Sequence, residues 1–235
     1  MLIILGAKSP FQFPYFLINL CIDITLSMES DNQTEFNFVE KNSIKTPIKP
    51  LMADEEINLI KSYLGKDKIF FEWGAGGSTV EFSNYVKEYY SVEHDFGWYN
   101  IVFKNARENV HLFYIPPNTF NLEWFPIFEE GKASDFKSYI KFVNNIASLG
   151  KKFDLVLVDG RARVDCAIEI LPHLGKDAVV FIHDFEREYY WKVLKYYEIV
   201  LVADKMAALK IKKELLNNDR VFLMKRFLMK EIYVS

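Results

Sequence analysis

The sequence is short of cysteine, of net charge and of any long apolar run, and each shortage removes a class of protein. Its two cysteines, Cys21 and Cys166, are too few for a disulfide framework and lack metal-ligand spacing. A reducing compartment, the cytoplasm, is therefore the default. A net charge of −3 gives no overall pull toward nucleic acid or an anionic membrane. The uncharged stretch 9–22 contains Pro10, Gln12, Pro14 and Asn19 and falls short of the ~20 residues that cross a bilayer. It also lacks the basic start and small-residue cleavage site of a secretory signal. No repeat or low-complexity tract is present. The phosphate-loop pattern G-x-x-x-x-G-K-[ST] is missing too, since Gly6-Ala7-Lys8-Ser9 is only a fragment of one.

What is there points to a folded domain. With 235 residues, 50% of them hydrophobic, the chain can bury one full core and still carry an extension. The expected division is an N-terminal extension and linker over 1–50, ending near Pro47 and Pro50, and one domain over 51–235. A helix 55–64 closed by Gly65 opens that domain. Strands are then expected at 68–73, 88–94, 110–115, 153–159 and 178–183. Helices are expected at 78–87, 97–108, 135–148, 162–172 and 185–196. Two strand-like runs, 198–203 and 207–212, follow as a hairpin. This alternation implies an α/β, doubly wound, mainly parallel seven-stranded sheet with helices on both faces and a terminal antiparallel hairpin. Leu215 to Ile232 reads equally as helix or strand.

The chemistry concentrates between Lys68 and Asp95. An apolar strand ends in Glu72 and runs into Trp73-Gly74-Ala75-Gly76-Gly77-Ser78-Thr79, then a helix, then a second strand ending in Glu93. Strand, glycine loop, helix, strand and acid is how such a sheet builds a nucleotide-type pocket at the carboxyl ends of its strands. Gly74, Gly76 and Gly77 are read as positions that free the backbone and let a ligand lie close to it. Ser78 with Glu81 fits a capping box that would start the helix at Ser78. Glu93 stands about 20 residues past the loop's start, where a carboxylate accepts hydrogen bonds from ribose hydroxyls. Glu72, directly under the loop, would repel a pyrophosphate and favour a cationic ligand. A nicotinamide fingerprint fails because Thr79 stands where its third glycine belongs.

On Glu72, Gly74, Gly76 and Glu93, the chain resembles the class I S-adenosylmethionine-dependent methyltransferases over about 54–212. The resemblance implies a Rossmann-like fold closed by the antiparallel hairpin and S-adenosyl-L-methionine as cofactor. It would be held by Glu72, Gly74, Ala75, Gly76, Gly77, Ser78 and Thr79, with Glu93 on the ribose and His94 against the adenosine. Trp98, on the next helix, reads more readily as core.

The ends of the fourth and fifth strands supply the other candidates, Asp159-Gly160-Arg161-Ala162-Arg163 and His183-Asp184-Phe185-Glu186-Arg187. His183 titrates near neutrality and fits a base, oriented by Asp184 or Asp159; Asp159 is the alternative base. Asp159, Asp184 and His183 are also an alternative set for a divalent cation, but they lack a clear ligand spacing, so no metal site is expected and metal dependence is not legible. Arg161 and Arg163 suit an acidic acceptor. The Asp-Gly strand end with His183, Asp184 and Arg187 is similar to the polysaccharide O-methyltransferases, which implies a sugar or glycan hydroxyl; a small-molecule acceptor stays open. The segment 116–133, with Phe120, Trp124, Phe125 and Phe128, lies where a substrate lid would be. The rival readings are a non-catalytic binding module of the same fold and a nicotinamide or sugar-nucleotide enzyme. No nucleic-acid partner is expected, and oligomeric state is not legible.

Overall fold

The computed structural model describes residues 25–26, 36–37, 48–118 and 133–216. The chain divides into two units, Met1–Ser43 and Ile44–Ser235. In the first, β1 (Thr25–Leu26) pairs antiparallel with β2 (Phe36–Asn37). The apolar stretch 9–22, the aromatic residues Phe120, Trp124, Phe125 and Phe128, and residues 217–232 lie outside the described residues.

The second unit is built on a seven-stranded sheet in the order β5-β4-β3-β6-β7-β9-β8. Its strands are β3 (Ile69–Trp73), β4 (Glu88–Glu93), β5 (Val110–Tyr114), β6 (Phe153–Val158), β7 (Leu174–Ile182), β8 (Tyr197–Ala203) and β9 (Met206–Ile211). β3 to β7 pair in parallel, and β9 runs antiparallel to both β7 and β8. The order reverses between β3 and β6, which places the crevice for a ligand outside their carboxyl ends. The expected seven-stranded, mainly parallel sheet with a terminal hairpin is the observed one.

The β6 sequence Phe-Asp-Leu-Val-Leu-Val is nearly continuous in apolar residues because both of its faces are covered. Alternation sorts β3: Phe70 falls in a core cluster with Tyr89, Leu155, Leu157 and Phe181, while Phe71 and Trp73 point to the opposite face. Phe70 stacks on Tyr89 with centroids 4.6 Å apart. Burying each such ring contributes roughly 1.5–3 kcal/mol. Glu72 shares the Phe70 face by the same alternation, which carries an acid into the core.

The helices are shorter than their sequence patterns suggest. They are α1 (Asp54–Lys61), α2 (Gly77–Phe82), α3 (Phe96–Asn105), α4 (Lys137–Lys141), α5 (Val143–Ala147), α6 (Arg163–Glu169) and α7 (Lys213–Leu216). The helix expected over 135–148 is broken at Phe142. There the Trp73 indole N–H takes the Tyr139 carbonyl at 3.0 Å, and Phe142 packs on Phe113. Pro172 ends the helix expected to reach 172, and a 3₁₀ turn (Leu171–His173) replaces its last residues. The helix expected over 185–196 is a 3₁₀ segment, Glu188–Lys195. Its start is diverted because Asp184 adopts φ 57° and Phe185 N–H bonds to the Lys205 carbonyl at 2.6 Å. β7 begins four residues earlier than 178, with a register shift opposite Phe153–Leu155 that absorbs the polar Gly175-Lys176-Asp177.

Candidate active site

Parallel pairing carries the ends of β3, β4, β6 and β7 to one edge, and the ladder continues one bond past them. Gly74 N–H bonds to the Val92 carbonyl at 2.9 Å and Asp159 N–H to the Trp73 carbonyl at 3.0 Å. A cavity of about 610 Å³ opens at that edge, within the range of small-molecule sites. The glycine loop from Gly74 to Ser78 lines one side, Glu93, His94, Asp95 and Trp98 another, and Asp159, Gly160, Arg161, Arg163, His183 and Asp184 the far end; Leu51 and Met52 add to the lining.

The loop's glycines have different reasons. Gly74 has φ 92°, and a Cβ there would sit 2.6 Å from Gly160 N. Gly77 needs no special dihedral, but a Cβ on it would overlap the Lys49 carbonyl. The segment before α1 thus lies against the loop like a strap. Gly76 is extended, and a Cβ there would meet only Ser78 Oγ at 3.8 Å. Its backbone tolerates any residue, so what the absent side chain leaves is space on the cavity wall. This corrects the reading of all three as freed backbone.

The capping arrangement also differs from expectation. Gly76 is the N-cap of α2, and its N–H bonds to Thr79 Oγ1 at 3.0 Å. Ser78, already inside the helix, instead donates to Glu72, and Glu81 pairs with Lys61 at 2.6 Å. Glu72 is 0% exposed and receives hydroxyls from Ser78, Thr79 at 2.5 Å and Ser91 at 2.9 Å. Burial raises its pKa to about 7 against the lowering effect of those hydroxyls. Glu72 and Thr79 therefore lie behind the loop and fasten it to the sheet. They do not line the cavity.

Glu93 is placed differently. Its Oε1 accepts the backbone N–H groups of His94 at 2.8 Å and Asp95 at 2.7 Å and lies 3.0 Å from His94 Nδ1. With these contacts all on Oε1, Oε2 is the oxygen left for a ligand. Trp98, expected as core, is 36% exposed at the cavity. Its backbone N–H is the cap donor to Asp95 Oδ1 at 2.7 Å.

At the far end, His183 Nδ1 is 2.8 Å from Asp159 Oδ1, and its Nε2 is 3.3 Å from Glu56 Oε1. Burial works against a charged ring here. The bond to Asp159 and the charges of Asp159, Glu56 and Asp184 outweigh it and raise the pKa above the ordinary histidine value. Arg163 is a brace: it donates to the Gly160 carbonyl at 3.0 Å and the His183 carbonyl at 2.6 Å, and lies 3.2 Å from Asp184 and 3.4 Å from Asp159. Arg187 contacts Asp184 at 3.1 Å. Both arginines expected to meet an acceptor line the cavity, and Arg163 is at the same time held by these protein contacts. Gly160 packs so closely that a Cβ would collide with the Tyr139 hydroxyl.

The sequence reading missed Glu56. Its signal was present: Glu56 sits three and four residues before Leu59 and Ile60, on the buried face of α1. An acidic first turn is so ordinary for a helix that nothing else marked it. Leu51 and Met52 carried no signal at all.

No family model matches the chain, and no curated protein matches its sequence. Among solved structures, it is similar to a methyltransferase-like protein from Silicibacter pomeroyi, with TM-score 0.55 at 20% identity, covering 72% of this chain and 93% of that one. A ribosomal protein L11 methylase from Lactobacillus delbrueckii subsp. bulgaricus aligns over 67% of this chain and 76% of its own, with TM-score 0.45 and 16% identity. The MycE methyltransferase of the mycinamycin pathway, solved with Mg and SAH, aligns over 66% and 44%, with TM-score 0.43 and 16% identity. The second unit has the Rossmann-like fold of class I methyltransferases. No helix among the described residues is long and apolar enough to cross a membrane.

Proposed function

We propose that this chain is an S-adenosylmethionine-dependent methyltransferase acting on a hydroxyl of a small-molecule or sugar acceptor. The observation that carries the reading is the cavity itself. It runs from a ribose-ready carboxylate, Glu93, past an open glycine wall at Gly76, to a charged end at Asp159 and Arg161. The residues present fit the cofactor. Gly74, Ala75, Gly76, Gly77 and Ser78 would lie along its amino-acid portion, Glu93 Oε2 would accept its ribose hydroxyls, and His94 and Trp98 would flank its base. Glu72 and Thr79 hold the loop in shape for it. When bound, the cofactor would supply a methyl group already activated by a sulfonium.

The protein's own part is alignment and proton removal. Asp159 is the group for the proton: both of its contacts fall on Oδ1, to His183 and Arg163, so Oδ2 can face an acceptor hydroxyl. His183 has both ring nitrogens against carboxylates, Nδ1 on Asp159 and Nε2 facing Glu56, and serves to orient Asp159. Asp184, with Arg163 and Arg187, steadies that end. Arg161 would attract an acceptor that carries a carboxylate or phosphate, such as an acidic sugar. A cytoplasmic setting goes with this reading, as the scarcity of cysteine suggests.

The test is transfer of labelled methyl from S-adenosylmethionine to a panel of neutral sugars, uronic acids, sugar phosphates and small aromatic alcohols. Turnover on an acidic member that Arg161→Ala weakens through KM supports the reading. Tight binding of the cofactor with no transfer to any hydroxyl would favour a non-catalytic module.

A further inference from the structure

Glu56 is a buried acid at 1% exposure, set in the first turn of α1 and outside the cavity lining. Its Oε2 accepts Ala53 N–H at 2.7 Å, which anchors the strap that brings Leu51 and Met52 to the cavity lining. Its Oε1 accepts Lys205 N–H from the β8–β9 turn at 3.2 Å and lies 3.3 Å from His183 Nε2. Three separate parts of the chain thus meet at one carboxylate. An acid sunk this far is costly unless hydrogen-bond donors or an opposite charge meet it. Here the donors are the Ala53 and Lys205 N–H groups, and the ionisable partner is the imidazole of His183.

The ring is flanked by acids on both nitrogens, Glu56 from α1 and Asp159 from the end of β6. Asp184 approaches Nδ1 to 3.9 Å, and Arg163 on α6 contacts both Asp159 and Asp184. A neutral imidazole has one N–H and one lone pair, so it would turn a lone pair toward one of the two acids. The doubly protonated ring alone donates to both. Removing Glu56 therefore does more than delete one contact. It removes the reason for the second N–H and loosens the hold on Asp159.

We propose that Glu56 is a positioning residue for methyl transfer: through His183 it fixes Asp159 in the cavity, and through Ala53 N–H it fastens the strap that adds to its lining. The proposal rests on reading the cavity as a methyltransferase site. It adds a residue that touches neither cofactor nor acceptor and makes the buried face of α1 part of the acceptor end.

The test uses the full chain labelled with ¹⁵N-histidine; its four histidines keep the spectrum simple. Wild type, Glu56→Gln and Glu56→Asp are titrated by ring ¹⁵N shifts, and each sample is checked by thermal melting and by calorimetry with S-adenosylhomocysteine. In the wild type His183 should titrate above the ordinary histidine midpoint. In Glu56→Gln the midpoint should fall by about one pH unit, the size expected when a charge within hydrogen-bond reach is lost. Glutamine keeps a carbonyl for Ala53 N–H, and its amide can donate to a deprotonated Nε2 while giving up the Lys205 N–H bond, so the strap stays fastened and S-adenosylhomocysteine affinity should hold. Glu56→Asp should recover part of the midpoint. A folded Glu56→Gln variant with an unmoved His183 midpoint overturns the proposal. So does a wild-type midpoint at or below the ordinary value, which decides the matter even where a variant does not fold. Failure of the wild type to bind S-adenosylhomocysteine would instead sink the methyltransferase reading, whatever His183 does.

Discussion

Ser91 on β4 donates a 2.9 Å hydrogen bond to the Glu72 carboxylate on β3, joining two neighbouring parallel strands directly beneath the glycine loop. Ser78 and Thr79 bind the same carboxylate from the first turn of α2. The acid that the sequence offers as a ligand contact is thus consumed by the protein. Its role is to keep the strand end, the loop and the helix start in fixed relation, so that Gly76 and Ser78 present a formed wall to the cavity.

This burial has a pH signature. Glu72 in the fold titrates near 7, against 4.5 for the ordinary carboxyl, so the folded state retains a proton that the unfolded chain has released. Stability should therefore fall as pH rises from 4.5 toward 7 and then level off, a loss of about 3 kcal/mol. His183 adds the same sign in a higher window. Its stabilisation is complete below 6.5 and is lost as pH rises through its raised folded pKa. Urea denaturation at pH 5, 7 and 8.5 measures both. Glu72→Gln should flatten the lower part of the curve, and His183→Asn the upper part.

Gly74 and Gly76 should separate folding from binding. Gly74→Ala must hold a left-handed backbone against Gly160 and should cost about 1–3 kcal/mol in denaturant melts. At Gly76 an added Cβ meets only Ser78 Oγ, at 3.8 Å, so the melting temperature of Gly76→Val should match the wild type while S-adenosylhomocysteine binding weakens at least tenfold, about 1.4 kcal/mol. Equal binding by wild type and Gly76→Val would remove the glycine wall from the proposed site.

The Gly160–Tyr139 contact should be recoverable by a second substitution. Gly160→Ala drives a Cβ into the Tyr139 hydroxyl and should destabilise by roughly 1–3 kcal/mol, the usual size of overpacking. Tyr139→Phe removes the oxygen in the way. The double variant should be more stable than the sum of the two single effects, a positive coupling in a double-mutant cycle. Strict additivity would show that the strain lies elsewhere.

Asp159→Asn separates turnover from cofactor binding. Cofactor affinity should persist, since Asp159 lies at the far end of the cavity from Glu93, while methyl transfer should drop about 10²–10⁴-fold, the usual contribution of a positioned base. A variant with full activity would return the proton to another group.

Much of this architecture is legible in the sequence because periodicity and punctuation report local forces. The Ile69-Phe70-Phe71 run, Glu72, the Gly74–Gly77 loop and Glu93 declare two strand ends of a parallel sheet, and the hairpin around Asp204 declares its antiparallel close. What stays hidden depends on contacts distant in sequence. The break at Phe142 comes from the Trp73 indole competing for the Tyr139 carbonyl, 66 residues apart. The partners of His183 are equally remote: Asp159 is readable as a strand end, but Glu56 looks like any acid in a helix's first turn. The loop motif likewise names Glu72 without saying which way it faces. That is decided by alternation from Phe70 and by the three hydroxyls that meet it.

The central claim is that this cavity accepts an adenosyl sulfonium whose ribose is met by Glu93. Titration calorimetry with S-adenosylmethionine, S-adenosylhomocysteine and NAD, on wild type and Glu93→Ala, tests it most directly. Binding of the two adenosyl compounds in preference to NAD, weakened at least tenfold by Glu93→Ala (about 1.4 kcal/mol), is the expected result. Adenosyl compounds that bind no better than NAD, or a Glu93→Ala variant that binds them unchanged, would contradict it.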